Sequence, residues 1–299
     1  MHPNFITKFF QNFIKDKDIR TFKNNYYYYL FFRLIRNFLN CYLEVKIYNF
    51  KILASNTKNK ISHALLKKCR FDDQSELKLI EKISKKNKIF LLDCGCNYGF
   101  YSFYTASLSS QNFVVAIEAS LNTVEDFKKN LNLNKFNNII LKNFAISDVD
   151  NTTIIFNESQ NDWESSLTHN EFDEKKITKI KTQKIDTIIK NQKINDYSLL
   201  IKLDIEGNEL QAIEGAKNTI QKYKPLIIIE LSSYIFNNKN QAFDYLKSFL
   251  SEFNYSIYST KMKLITIEDV TLLINNLDTK HKTIGNYYLI NNKNIHKFK

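Results

Sequence analysis

The stretch KIFLLDCGCNYGFYS, residues 88–102, decides the fold. It opens on a continuous apolar run, Ile89 to Leu92, that ends in an acid, Asp93. Gly95, Asn97 and Gly99 follow, and then a segment of helical length. A strand-to-helix turn built this way lets the backbone fold tightly against a ligand at the carboxyl edge of a sheet. The spacing is not the dinucleotide G-x-G-x-x-G, because Ser102 stands where the third glycine would come. An acid ahead of the glycines also disfavours a pyrophosphate, whereas a cationic or zwitterionic cofactor tolerates it. The competing reading is that Gly95 and Gly99 merely close the turn.

Outward from this stretch the same grammar repeats. Apolar runs recur at Phe113–Glu118, Asn138–Ile146, Ser198–Asp204, Pro225–Leu231, Tyr255–Ser259 and Asn286–Ile290, most of them separated by helical segments. Such runs predict strands buried on both faces, and so a Rossmann-like α/β fold with a seven-stranded, mainly parallel sheet and helices on both faces. The interval 150–190 differs: TTIIFNE and KITKIKTQKI are the arms of a β-hairpin insert, with Trp163 and His169 in the loop between. The second strand ends in Glu118, placed to accept hydrogen bonds from a ribose diol. Glycine loop and acid together indicate a nucleoside cofactor with little phosphate, and S-adenosylmethionine fits.

Composition bounds the rest. The 299 residues include five Gly, two Pro and four Cys, which excludes collagen-like, Gly/Pro-rich and disulfide-scaffold classes. Four of the five glycines fall in the first loop and in IKLDIEGNELQAIEGA, residues 201–216, so glycine is kept where strands end. In that second motif Asp204 and Glu206 precede Gly207, whose sharp exit would bring both carboxylates to the rim of one pocket. A carboxylate there would position an acceptor hydroxyl or take its proton. Alternatively the two acids cap the following helix. Lys202, on the other side of the strand from Leu203, reads as structural. Cys41, Cys69, Cys94 and Cys96 show no metal-ligand spacing and read as reduced thiols of a cytosolic protein.

The order D-x-G-x-N-x-G, an acid closing strand two, I-K-x-D-x-E-G-x-E-L and P-x-x-x-x-E resembles the FkbM-type methyltransferases. These are class I, S-adenosylmethionine-dependent enzymes that mostly methylate hydroxyl oxygens of sugars and related natural products. The resemblance spans about residues 88–260, with IKLDIEGNEL as its most specific part. It implies that Asp93, Gly95, Asn97 and Gly99 hold the methionine part of the cofactor, Glu118 the ribose and Ala145 the adenine. It places Asp204 and Glu206 beside the transferred methyl. Asp204 is the first choice of general base, and His169, on the insert that would cover the pocket, is the runner-up. Glu230, ending the fifth strand, either holds a sugar hydroxyl or caps a helix. Ser165, Ser166 and Leu167 match a Ser-Ser-Leu patch of the family. Where the family usually reads Glu-Pro after strand two, this chain has Glu118-Ala119. No metal is expected, since no His supports the acidic pair.

The charge is uneven. Of the net +12, residues 1–70 carry +11, from 14 Lys/Arg against three Asp/Glu, and hold 15 of the 42 aromatic residues. Their apolar positions recur at helical spacing, predicting a basic, aromatic-rich helical extension ahead of a methyltransferase domain at 71–299. The longest early apolar run, Tyr26–Phe32, is far short of the ~20 residues that span a bilayer, and no signal peptide is visible. The extension suits peripheral contact with an anionic membrane by a cytoplasmic protein. Rival classes fit less well. A nicotinamide dehydrogenase is opposed by Asp93, Asn97 and the missing third glycine. A nucleic-acid (RNA) methyltransferase is opposed by the scarcity of Arg and the lack of N-P-P-[FYW] after the fourth strand. A non-catalytic binding protein is opposed by intact Asp93, Glu118 and Asp204. The acceptor is expected to be a small molecule or glycan.

Overall fold

Alternation of apolar and polar residues appears first in a place the helical reading passes over. In LEVKI and FKILA, β1 (Leu43–Ile47) and β2 (Phe50–Ala54), every second side chain is buried, and the two pair as an antiparallel hairpin. A computed structural model describes residues 3–39, 41–54, 65–158, 176–232, 235, 239–276 and 283–298. These group into two compact units, residues 1–74 with 125–137, and residues 75–124 with 138–299.

The first unit holds the hairpin and the two helices that the aromatic periodicity implies, α1 (Phe5–Ile14) and α2 (Tyr26–Ile35). Each begins on an asparagine. Asn4 Oδ1 accepts from Thr7 N at 2.7 Å, and Asn25 Oδ1 accepts from Tyr28 N at 2.9 Å. Phe10, Ile14, Phe22, Tyr28 and Phe32 are buried, and the rings of Phe10, Phe22, Tyr28 and Phe32 pack on one another. The open edge of β2 is covered within this unit by Asn130 and Asn134. Their Oδ1 atoms accept from Leu53 N at 2.7 Å and Lys51 N at 2.8 Å.

The second unit is the α/β body. Its strands and helices in chain order are α3 (Gln74–Ser84), β3 (Ile89–Cys94), α4 (Phe100–Leu108), β4 (Phe113–Glu118), α5 (Leu121–Leu133), β5 (Ile139–Asn143), β6 (Ala145–Ile146), β7 (Thr153–Glu158), β8 (Lys176–Gln183), α6 (Ile185–Lys190), β9 (Ser198–Leu203), α7 (Glu209–Glu214), α8 (Lys217–Tyr223), β10 (Leu226–Ser232), α9 (Lys239–Phe253), β11 (Tyr255–Ser259), β12 (Leu264–Ile265), α10 (Ile267–Asn275) and β13 (Thr283–Asn291). Two of these helices cross unit boundaries: α3 begins one residue before this unit, and the later part of α5 groups with the first.

The main sheet runs β12-β11-β13-β10-β9-β3-β4-β5. From β10 to β5 all neighbours are parallel, while β13, β11 and β12 pair antiparallel. The predicted seven strands are all present, and an eighth, β12, joins them. With two residues paired to Ile257 and Tyr258, it is too short to leave a periodic trace. One predicted strand also divides. Asn138–Ile146 breaks at Phe144, so that β5 stays in the main sheet and β6 pairs with β8 in a three-stranded sheet with β7. The β7–β8 arms pair antiparallel as the hairpin insert requires.

Strand order reverses between β3 and β9, the position at which open sheets of this kind bind ligands. Phe90, Leu92, Ile117, Ile201, Leu203 and Ile229 make one sheet face, against which α6 to α10 pack. The other face at this point carries Asp93 beside Lys202 in direct register, and Glu230 two residues beyond the partner of Lys202. None of the four cysteines, all among the described residues, is in a disulfide.

Candidate functional site

The first turn is pinned by its backbone. Gly95 N and Cys96 N both donate to Ile117 O at the end of β4, and Gly99 N donates to Cys96 O. Gly95 has φ +75°, and a Cβ placed there would lie 1.8 Å from the backbone oxygen of Asp204. Asp204 N in turn donates to Cys94 O at 3.2 Å. The two sequence motifs, more than a hundred residues apart, are therefore in van der Waals contact through a glycine that has no side chain to spare. Asn97 takes a left-handed φ of +48° and offers its N–H to Glu118 Oε2 at 2.9 Å.

Asp93 is 1% exposed and turns its carboxylate under this loop, where Oδ2 accepts from Ser102 Oγ at 2.6 Å. Ser102 thus does something at the position of the absent third glycine: it holds the acid. Burial pushes the Asp93 carboxyl above its ordinary range, against the pull of Lys202 and Ser102.

Glu118 binds both sides of its own turn. Oε2 takes the Asn97 N–H, Oε1 takes Ser120 N at 2.9 Å, and the Ala119 backbone is a third donor. A carboxylate has about four acceptor positions, so one remains for an incoming hydroxyl. All the donors are backbone amides. That suits a neutral diol and gives a phosphate no cation. Burial raises the Glu118 pKa to about 7. The turn lacks the family's proline, and Asn143 steadies it instead, with Nδ2 donating to Glu118 O at 2.8 Å and to Ala119 O at 3.1 Å. Ala145 is buried next to this turn, in a small cluster with Phe156 and Ile180 of the insert, against which Ala119 packs.

The second turn is held by a residue to which the sequence reading gave no role. Glu209, 1% exposed, accepts from Ile205 N at 2.9 Å and from Gly207 N at 3.0 Å, and burial lifts its pKa to about 7. Asn208 Nδ2 reaches Ile146 O at 2.6 Å. Gly215 permits a similar approach, since a Cβ on it would lie 2.3 Å from Ser147 O. Between these ties Glu206 sits at φ +53° and presents its carboxylate beside Asp204.

Asp204, Glu206 and Glu230 come together, with one carboxylate oxygen of each within 4.8 Å of the others. Lys202, 3% exposed at its side chain, places Nζ 2.6 Å from Asp204 Oδ2 and 4.7 Å from the centroid of Tyr101. Burial first, and Asp204 second, hold Glu230 well above the carboxylate range. The buried Lys202 ammonium offsets part of the negative charge of these acids, and the three carboxylate oxygens are close enough together to ligate one ion. Lys202, read from sequence as structural, is the cation of this cluster. The sequence carried no local signal for this, because its register with Asp93 is set by packing across the parallel sheet. Replacing it with methionine strands Asp93 and Asp204 without a counter-ion, and Lys202→Met is expected to cost about 3 kcal/mol in chemical denaturation. That is the low end for one partner of a buried pair, as Asp204 is 35% exposed. A loss below about 1 kcal/mol would show that solvent, not Lys202, balances the acids. Trp163, Ser165, Ser166, Leu167 and His169 lie outside the described residues.

The family model described as the methyltransferase FkbM domain matches residues 93–257. No curated protein matches the sequence. Among solved structures, the chain is similar to the FkbM methyltransferase of Methylobacillus flagellatus at 17% identity and a TM-score of 0.39, covering 77% of this chain and 52% of that one. It thus spans about half the length of that protein. It is also similar to the precorrin-6y C5,15-methyltransferase of Geobacter metallireducens (10% identity, 71% and 84% covered, TM-score 0.37). A third is M. jannaschii TYW2 in complex with AdoMet (13% identity, 83% and 84% covered, TM-score 0.40).

Proposed function

The chain belongs to the FkbM methyltransferase family, and from that premise we propose that it methylates a hydroxyl oxygen of a sugar or glycan using S-adenosylmethionine. One observation carries the reading: the turn Asp93–Gly99 and the acidic turn Asp204–Gly207 are locked together at the point where strand order reverses. A cofactor held by the first and an acceptor held by the second meet there.

Glu118 is the ribose acceptor, with one lone pair left by its three backbone donors. The loop from Gly95 to Gly99 and Asn97 hold the methionine part, with Asp93 fixing the loop from beneath through Ser102. Ala145 offers the adenine an apolar contact next to Ala119. When bound, the cofactor supplies an electrophilic methyl on a sulfonium. The protein's main contribution to such an in-line displacement is alignment of the acceptor oxygen. Asp204 accepts the acceptor's hydroxyl proton, Lys202 fixes one of its carboxylate oxygens, and Glu206 and Glu230 orient the acceptor's remaining hydroxyls. Glu230, whose pKa burial raises, is the carboxyl of this rim that most readily keeps a proton to donate, and Glu206 accepts, a pairing suited to a polyol. Incubation with labelled S-adenosylmethionine and fractionated glycans or lipid-linked saccharides tests the reading. Label is expected in an alkali-stable ether on a saccharide; label confined to RNA or protein would overturn it.

The Glu118 assignment has a pH signature. Its pKa of about 7 lies above the ordinary value, so the ligand-free protein holds a proton there that the unfolded chain has lost. This group therefore contributes stability at acid pH that fades as pH rises from about 4.5 through 7. Cofactor binding runs the other way, because a ribose diol donates to the ionised form. Affinity is expected to rise roughly tenfold from pH 6 to pH 8, read by calorimetry. Glu118→Gln is expected to weaken binding and flatten the profile. A profile unchanged in that variant would remove Glu118 from the ribose site.

A further inference from the structure

We infer that α1 and α2 form a docking surface for the headgroup region of an anionic membrane. Phe5 is 82% exposed, Tyr27 81% and Leu34 74%, and Phe9 and Phe38 are more than half exposed. Monomeric proteins rarely leave so many large apolar side chains together in water. These belong to one stripe. Tyr27, Phe31, Leu34 and Phe38 follow at spacings of four, three and four along one face of α2 and the 3-10 turn that continues it. The ring of Phe9 stands edge-on to that of Phe31 with centroids 6.0 Å apart. Asn4 Nδ2 and Thr7 Oγ1 both donate to Phe38 O, at 2.6 and 3.2 Å, which ties the far end of the stripe to the first turn of α1.

Charge lies beside it. Residues 1–39 carry seven Lys/Arg against two Asp/Glu. A cavity of about 460 Å³ opens at the start of α2, lined by Lys23, Lys67, Lys68 and Arg70 together with Tyr26 and Tyr29. The Tyr26 ring is edge-on to that of Tyr27, 6.1 Å between centroids, so cavity wall and stripe adjoin. Helices of ten residues are about 15 Å long, too short to cross a bilayer and suited to lying in its interface. Among the described residues no helix is long and apolar enough to span a membrane.

Charge complementarity selects the occupant. Two copies meeting through this face would oppose like charges. A nucleic acid would answer the lysines but leave Phe5, Phe9 and Leu34 with no apolar medium to enter. An anionic lipid surface satisfies both, with phosphate at the basic cavity and acyl chains under the stripe. No residue of this surface belongs to the methyl-transfer site, so its failure would leave that reading intact.

The test is co-sedimentation of the full chain with vesicles of phosphatidylcholine alone and of phosphatidylcholine with phosphatidylserine. Light scattering and retention on single-stranded RNA are read alongside. The protein is expected to pellet with the anionic vesicles and remain in solution with the neutral ones, more weakly so as salt rises. F5S/F9S/L34S/F38S, whose positions are all exposed, is expected to keep the thermal midpoint and lose at least about tenfold in vesicle affinity. K23E/K67E/R70E is expected to lose the preference for phosphatidylserine. Protein left in the supernatant with both vesicles overturns the inference, as does a stripe variant that pellets equally. Without vesicle binding, a dimer that the stripe variant dissolves would assign the face to a second copy. RNA retention in place of vesicle binding would assign the basic residues to nucleic acid.

Discussion

Gly95→Val is expected to abolish S-adenosylmethionine binding and to lower the thermal midpoint of the ligand-free protein by roughly 10 °C. The stability effect follows from what a Cβ would meet. At φ +75° the residue is already in a region that β-branched side chains avoid, and the added carbon would lie 1.8 Å from the Asp204 backbone oxygen. That oxygen belongs to a turn held by Glu209 and by the Asp204–Cys94 backbone bond, so it cannot give way without loosening both motifs. A cost of about 4 kcal/mol is in the range of strained-backbone and overpacking substitutions. In a unit of this size that moves the midpoint by several degrees per kcal/mol at most. Binding suffers because the loop and the acidic turn separate, and a displacement of about 1 Å costs on the order of 100-fold. The location of the clash sets the decisive control. If the glycine only left room for cofactor, Gly95→Ala would be tolerated in the ligand-free protein. Because the obstacle is the protein's own backbone, alanine should destabilise nearly as much as valine. An alanine variant with an unchanged midpoint and intact calorimetric affinity would sink this account.

The parts of this molecule that were legible in the sequence are those where one periodicity acts alone. Strands buried on both faces write themselves as unbroken apolar runs, so seven of the eight strands in the main sheet could be read, and the insert's two arms with them. The hairpin Leu43–Ala54 was hidden because its alternation sits in a segment dominated by aromatic residues at helical spacing. The break at Phe144 was hidden because both halves of that run are apolar, and only pairing partners separate them. In the site, the acids just ahead of a glycine were legible, since a scarce glycine marks a constrained turn. Lys202 and Glu209 were not. A buried lysine and a buried glutamate are recognisable only once their partners are known, and those partners come from β3, β10 and the turn's own amides. Register between parallel strands, the information that places Lys202 beside Asp93, is set by packing across the whole sheet and has no local signature.

Asp204→Asn is expected to lower the methyl-transfer rate by roughly 10²–10⁴-fold while leaving S-adenosylmethionine affinity within about threefold. On the proposed assignment the cofactor rests on the ends of β3 and β4, whereas Asp204, just after β9, faces the acceptor. Folding should survive the change for a reason the cluster supplies. The amide oxygen can still accept from Lys202 Nζ, which now sits 2.6 Å from Oδ2. Burial first and the Asp204 charge second raise the Glu230 pKa, so losing that charge lowers it and makes Glu230 a better counter-charge for Lys202. The variant should therefore keep its midpoint to within a few degrees and lose turnover, a combination that a purely structural Asp204 would not give. Asp204→Asn with Glu230→Gln removes the replacement as well, and this pair should lose stability beyond the sum of the single changes. Single-turnover rates at saturating acceptor, with calorimetry for the cofactor, distinguish the outcomes. Unchanged turnover in a folded Asp204→Asn protein would take the proton-accepting role from Asp204. Glu230 would then be the next carboxylate to test, since it shares the same rim and needs only to lose its proton to serve.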